Sequence, residues 1–336
     1  MEINNSKGST KIQLKIKRDI RDNGIKVTKM IYILMATYNG EKFINEQIDS
    51  LLNQTYENWK LIIHDDNSKD RTVSIVKEYQ SKYNNKIKLL DDNISTGGAK
   101  ENFTYLLNKI DDNYDYIMFC DQDDIWINNK IEVTLNKMIA AENKYKNKPI
   151  LIHTDLYIYE NVETSKYKKF MEYQNLNSGF DTINRLIVQN IVTGCTVMIN
   201  KLSVEKIKKI PKEAIMHDWW IAIVISSFGK IVFLDNATIL YRQHENNIVG
   251  VKQKNLSFYI KKIVSRNSFE CNSLQMKKFL NIYKESLNKN DKKIIEVFIS
   301  LQSYSYLKAR YLMWKYKIYK HGFIRNIALF LGIIKF

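Results

Sequence analysis

Short unbroken apolar runs alternate with stretches of helical periodicity through the first 145 residues, and that alternation predicts an α/β fold. Ile31-Tyr-Ile-Leu-Met-Ala36 is continuous and apolar and stops at the turn-forming Thr37-Tyr-Asn-Gly40, so it reads as a buried strand running into a loop. Phe43, Ile44, Gln47, Ile48, Leu51 and Leu52 then recur at helical spacing, and a second strand over 60–64 runs into Asp65-Asp-Asn-Ser68. A helix over 70–79, a strand over 86–90, a helix over 98–109 and a strand over 116–120 continue the series. Three crossovers of this kind predict a mostly parallel sheet with helices on both faces.

The fourth strand delivers Asp121-Gln-Asp123-Asp124 to its carboxyl end. That end is where open α/β sheets bind ligands, and hard divalent cations prefer carboxylate oxygens that they share with substrate phosphates. Taken by itself, the cluster reads equally well as a solvated acidic turn. A helix over 130–143, Pro149 and a strand over 150–153 follow.

Several motifs in this order carry a family resemblance. Ala36-Thr-Tyr-Asn39, Asp65-Asp-Asn-Ser68-Lys-Asp70, Asn93-Ile-Ser-Thr-Gly97-Gly98 and Asp121-Gln-Asp-Asp124 resemble family 2 glycosyltransferases with the GT-A fold. His217-Asp-Trp-Trp220 and Tyr241-Arg-Gln-His244-Glu-Asn-Asn247 are similar to the bacterial rhamnosyltransferase subgroup. The resemblance spans residues 31 to about 249 and is far more specific for the superfamily than for the sugar. It implies a catalytic domain over 30–250, with a nucleotide-sugar half over 30–149 and an acceptor half over 150–250.

The resemblance also implies roles. Asp123 matches the acid that binds a metal, Mn²⁺ or Mg²⁺, bridging the donor diphosphate, and Asp121 matches the ribose side of the donor. Asp124 either joins them or caps the following helix. Like charges this close repel, and a cation would remove that cost. His244 matches a histidine that completes the metal shell, and neutral imidazole suits Mn²⁺ better than Mg²⁺. For the nucleotide, Tyr38 offers a ring face to a pyrimidine and Asp66 an acceptor for the base N3 proton, with Thr37 and Asn39 shaping the loop. Lys100, after Gly97-Gly98, is expected to reach the base or a phosphate. Asp218 matches the general base; flanking Trp219 and Trp220 would desolvate it and raise its proton affinity. The rival reading of Asp218 is an acid favoured by the helix macrodipole. Gly194 is matched to a small residue that admits the acceptor sugar, and Arg242 to a contact with diphosphate or acceptor.

Composition agrees with a folded enzyme. The chain has 336 residues, 45% hydrophobic and 26% charged, enough for a large core and an appendage. Cys120, Cys195 and Cys271 form no C-x-x-C pair, which suggests neither a disulfide framework nor a thiolate metal site. The net charge of +16 is uneven: residues 251–336 hold 18 Lys and Arg against 4 Asp and Glu. There basic residues interleave with aromatics, from Tyr304 to Lys320, before the short apolar run Ile327-Ala-Leu-Phe-Leu-Gly-Ile-Ile334. This composition predicts a helical region that associates with an anionic membrane surface rather than nucleic acid, or else a stripe that packs on the core. Residues 1–29 are polar and basic without an apolar export segment and read as a disordered extension. The expected enzyme is therefore an inverting transferase, cytoplasmic and peripheral on the inner membrane face. It would move a sugar from dTDP-rhamnose or a UDP-sugar to a lipid-linked glycan. A nucleotidyltransferase would show a glycine-rich basic phosphate loop after the first strand, and Thr37-Tyr-Asn-Gly40 is not one.

Overall fold

The computed structural model describes residues 28–159, 168–207, 209–243 and 267–332. The expected extension (apart from its last two residues), the segment 244–266 and with it His244 lie outside the described residues.

The expected alternation is present. Strands β1 (Ile31–Thr37), β2 (Trp59–Asp65), β3 (Ile87–Leu90) and β4 (Tyr116–Asp121) are linked by helices α1 (Ile44–Leu52), α2 (Thr72–Lys82) and α3 (Ala99–Lys109). Then come β5 (Ile125–Trp126), α4 (Lys130–Lys144), β6 (Ile150–Tyr159), β7 (Lys168–Lys169), and the short helices α5 (Phe170–Tyr173) and α6 (Ile183–Leu186). β8 (Val197–Asn200), α7 (Lys201–Ile207), α8 (His217–Phe228) and β9 (Lys230–Arg242) complete the sheet-bearing part. Four helices follow: α9 (Asn267–Tyr283), α10 (Lys289–Ile299), α11 (Tyr306–Lys315) and α12 (Phe323–Gly332).

Among the described residues the strands form one sheet in the order β3-β2-β1-β4-β8-β6-β9-β5, with β7 beside β6. β3, β2, β1 and β4 are mutually parallel, so their carboxyl ends share one edge. β8 lies antiparallel between β4 and β6. This is the GT-A arrangement of a mixed, mostly parallel sheet flanked by helices.

Two departures from the sequence reading have local causes. The antiparallel β8 has no signature of its own, because a four-residue apolar run reads the same in either direction. The apolar runs 230–234 and 239–240 read as separate strand-like stretches in the sequence, yet they form one strand, β9; register shifts in its pairing with β6 absorb the polar Asp235-Asn236 interruption.

Period-two alternation sorts the strand side chains into two apolar layers. Tyr32, Leu34, Ile117, Phe119, Val197 and Ile199 face the layer containing α3, α8 and the carboxyl-terminal helices. Ile31, Ile33, Met35, Met118 and Met198 face the layer containing α1, α2 and α4. The last four helices are thus continuous with the core: Trp220 of α8, fully buried, packs edge-on against Phe279 and beside Tyr283 of α9. The basic stripe splits. Ala309, Met313 and Ile318 are buried, whereas Leu307, Tyr311 and Trp314 are exposed.

Because Phe279 joins α9 to the α8 face of the sheet, Phe279→Ala should destabilise the whole protein by about 3–5 kcal/mol. Chemical denaturation followed by tryptophan fluorescence should show one earlier transition. Separate melting of the carboxyl-terminal helices would contradict a shared core.

Candidate active site

Strand register sets the site. Ala36 pairs with Asp121, and Thr37 with Asp65, so the polar residues ending β1, β2 and β4 emerge side by side. The Thr37 hydroxyl donates to Asp65 Oδ2 at 2.8 Å, and the same oxygen accepts from the Ser68 hydroxyl at 2.6 Å. Asn39 adopts a left-handed φ of 48°. Its N–H donates to Ser68 Oγ and its side-chain oxygen accepts from the Lys69 N–H, each at 2.8 Å. These bonds hold Tyr38, 56% exposed, outside the core.

Gln122 clasps the same loop: Oε1 accepts from the Tyr38 N–H at 3.0 Å and Nε2 donates to the Tyr38 carbonyl at 2.8 Å. A Cβ on Gly40 would lie 2.2 Å from Gln122 Oε1, so the clasp requires glycine there or a moved Gln122 side chain. Sequence reading missed Gln122, the unremarked letter within Asp121-Gln-Asp-Asp124.

Asp66 accepts from the Gly97 N–H at 3.0 Å, the Ser95 hydroxyl at 3.1 Å and the Thr96 N–H. Burial pushes its carboxyl up, but these donors together outweigh it and hold the group below the usual range. Asp66 therefore shapes the Ser95–Gly97 turn.

Of the acids beyond β4, Asp121 and Asp123 are half-buried. Asp121 is pushed up to about 7 by burial first, then by the charges of Asp123 and Asp218. Both of those acids therefore lie within electrostatic reach of Asp121. Asp124 is fully buried, and neither of its oxygens has a hydrogen-bond partner at bonding distance. The alternative of Asp124 as a helix cap fails: Asn129 precedes α4, and Asp124 lies beneath the site. One ligand atom each from Asp121, Asp124 and Cys195 falls within 4.8 Å of the others. Burial, then Asp124 and Asp121, raise the Cys195 thiol, so it stays protonated. Oxygen-rich and mutually repelling, with both Asp124 oxygens orphaned, this donor set fits an oxygen-preferring divalent cation. The buried Lys130, 4.6 Å from the Trp126 ring centroid, lies within electrostatic reach of Asp124.

Asp218 opens α8. Its Oδ2 accepts from the Gly194 N–H at 3.0 Å and Oδ1 from the Trp219 N–H at 2.6 Å. Burial nevertheless wins over these bonds and raises the carboxyl to about 6. A Cβ at Gly194 would approach His217 Nε2 to 2.8 Å and Asp218 Cβ to 3.6 Å. Gly194 thus admits the start of α8. His217 is buried against Phe103 and Phe119 and neutral, its pKa lowered to about 3 by desolvation.

Three further candidates make contacts within the protein. Lys100 donates to the carbonyls of Lys212 and Ala214 at 2.8 and 2.9 Å, pinning the approach to α8. Arg242 donates to the Asp123 carbonyl at 3.2 Å and to Glu46 at 2.5 Å, so its guanidinium braces the acidic loop. Trp220 faces the core, as helical geometry demands of a residue two positions past Asp218; Trp219 is half-buried, with Nε1 donating to the Leu186 carbonyl at 2.6 Å.

This site can bind phosphate-borne donors at one side and deprotonate a hydroxyl at the other. Residues 32–207 match the sequence profile "Glycosyl transferase family 2". The chain is 33% identical over 237 residues to a dTDP-rhamnosyl transferase, RfbG, of Shigella flexneri, across 68% of this chain and 76% of that one. It is also 33% identical over 170 residues to an Escherichia coli UDP-Glc:alpha-D-GlcNAc-diphosphoundecaprenol beta-1,3-glucosyltransferase, WfgD, across 51% and 59% of the two chains. Its fold overlays the Pyrobaculum calidifontis mannosyltransferase PcManGT, solved with GDP-Man and Mn²⁺, with a TM-score of 0.54 at 13% identity, covering 95% of this chain and 85% of that one. With the strand-end acids, the profile and the sheet in agreement, the chain belongs to glycosyl transferase family 2 and is a glycosyltransferase that uses a nucleotide sugar.

Proposed function

We propose that this enzyme transfers rhamnose, with inversion, from dTDP-rhamnose to a hydroxyl of a lipid-linked glycan during cell-surface polysaccharide synthesis. The reaction would occur at the cytoplasmic face of a membrane. The reading is supported by the adjacency of two acids: Asp218 Oδ2 takes the Gly194 N–H at 3.0 Å, and the thiol of the neighbouring Cys195 lies within 4.8 Å of an Asp121 oxygen. Rhamnose is favoured by the printed activity of the Shigella relative. The lipid-linked acceptor follows the diphosphoundecaprenol acceptor named for the Escherichia coli relative, which also makes UDP-glucose the second donor to consider.

In this reading the Tyr38 ring and the Asp66-bound turn receive the base, and Asp121 lies toward the ribose. Asp123 and Asp121 would hold a divalent cation, with His244 as a further ligand. Bound there, the cation would supply Lewis-acid stabilisation of charge on the leaving diphosphate. Asp218 accepts the proton of the acceptor hydroxyl while that oxygen attacks the anomeric carbon from the side opposite the diphosphate. The new C–O bond forms as the old C–O–P linkage breaks, and one base suffices for one inverting displacement. The Gly194 and Trp219 N–H groups aim the carboxylate, and the Trp219 ring borders the acceptor side.

Differential scanning fluorimetry with dTDP, UDP and GDP, each with and without Mn²⁺, tests the donor reading. Stabilisation by dTDP above the others, dependent on Mn²⁺ and lost in Asp123→Ala, is expected. A shift by any of the three that survives chelation would reject the metal assignment.

Asp218→Asn should lower turnover by about 10²–10⁴-fold while donor binding stays near normal. Because Asp218 must be ionised to accept a proton, kcat/KM should fall tenfold per pH unit below about 6 and level off above it. A flat profile from pH 5 to 8 would remove Asp218 as the base.

A further inference from the structure

The last two helices present an apolar surface that nothing among the described residues covers. On α11, Leu307, Tyr311 and Trp314 recur at i, i+4 and i+7, so they form one outward stripe. They are 78%, 54% and 74% exposed, with the Tyr311 and Trp314 rings 6.3 Å apart. The opposite side of the same helix buries Ala309 and Met313 in the core. On α12, Phe323, Ile324 and Ile327 face outward, Phe323 at 81% exposure. Arg310 joins the two helices, its guanidinium 4.2 Å from the Phe330 ring centroid and 4.4 Å from that of Tyr306.

The charge around this surface has one sign. From Val297 to the carboxyl terminus the sequence holds seven Lys and Arg and no Asp or Glu. Lys308, Lys315 and Lys317 are exposed beside the apolar stripe. A second copy of the chain would meet like charge in a self-complementary contact, which disfavours it. An anionic bilayer complements the cations while its interface accepts Trp, Tyr, Leu and Phe. No helix among the described residues is long and apolar enough to cross a membrane, so such contact would be in the plane of the surface.

The surface is also wired to the acceptor side of the site. Arg325 donates to the carbonyls of Asn175, at 2.8 Å, and Gln174, and the His321 N–H donates to Gln189 Oε1 at 2.7 Å. Arg185 of α6 donates to the Tyr319 carbonyl at 3.1 Å and stacks on its ring at 3.4 Å. The adjacent Leu186 carbonyl takes the Trp219 indole N–H, next to Asp218.

We propose that Leu307, Tyr311, Trp314, Phe323, Ile324 and Ile327, with their surrounding cations, dock this enzyme onto an anionic lipid bilayer. The docking deepens the proposed transfer to a lipid-borne acceptor, on which it rests for its purpose, because α6 links the docked face to the Asp218 loop.

Co-sedimentation of the full chain with vesicles of phosphatidylcholine alone, or mixed with phosphatidylglycerol, tests this without donor or acceptor. Binding should appear with phosphatidylglycerol, weaken at high salt, and fall at least tenfold in Leu307→Ser/Trp314→Ser/Phe323→Ser. Trp59, Trp126 and Trp220 are buried and Trp219 half-buried, so quenching of wild-type fluorescence by chain-brominated lipid should report Trp314 and vanish in Trp314→Ser. That single change at an exposed site leaves the fold intact. Absence of vesicle binding at low salt, or binding undiminished by the triple change, would overturn the proposal. So would a wild-type dimer, seen by light scattering, that the triple change dissociates. A protein that binds vesicles but transfers no rhamnose would refute the donor reading and leave docking standing; a transferase indifferent to vesicles would do the reverse.

Discussion

Carboxylates crowded at the ends of parallel strands, with Asp124 fully buried and Asp121 and Asp218 partly so, govern this molecule. An ionised acid in such a place is costly unless another group shares its charge. Asp121 shows the cost directly: burial raises its proton affinity, and the charges of Asp123 and Asp218 raise it further. Asp124, with both oxygens orphaned, shows it again one layer down. A core does not keep such groups for stability, since an apolar replacement would serve better. The arrangement makes sense as a site whose charge is balanced by what it binds.

Much of the remaining construction keeps that cluster in place. Gln122 ties the acidic loop to the Tyr38 loop, Arg242 braces the Asp123 backbone, and Lys100 fixes the segment leading into α8. Gly40 and Gly194 matter through the Cβ they lack, which would strike Gln122 and His217. Polar side chains near a reactive centre are thus divided between those that meet ligand and those that hold the holders.

The carboxyl-terminal helices serve two surfaces at once. Their inner faces complete the apolar layer behind α8, and the outer faces of the last two are exposed among the described residues, with basic side chains beside them. The two alternatives that composition left open for the Tyr304–Lys320 stripe are therefore compatible, because a helix has opposite faces and the stripe supplies apolar residues to both.

The strands of the β3-β2-β1-β4 side, the helices between, and the acids at the strand ends were legible in the linear pattern, because local periodicity and turn chemistry act over a few residues. The family motifs added Asp218, whose partner acids lie almost a hundred residues earlier. Orientation and proximity were not legible. Whether Lys100 and Arg242 reach a ligand or a carbonyl depends on what the fold places within a side chain's length. Trp219 and Trp220 differ by one letter, yet a helix turns each residue by 100°, so one borders the site and the other enters the core. Asp124 and Cys195, 71 positions apart, meet only because β8 inserts antiparallel beside β4 and brings the turn before it to the acidic edge. Sequence determined which chemistry was present; the long-range pairing of strands decided which groups share a space, and desolvation in that space set their charge.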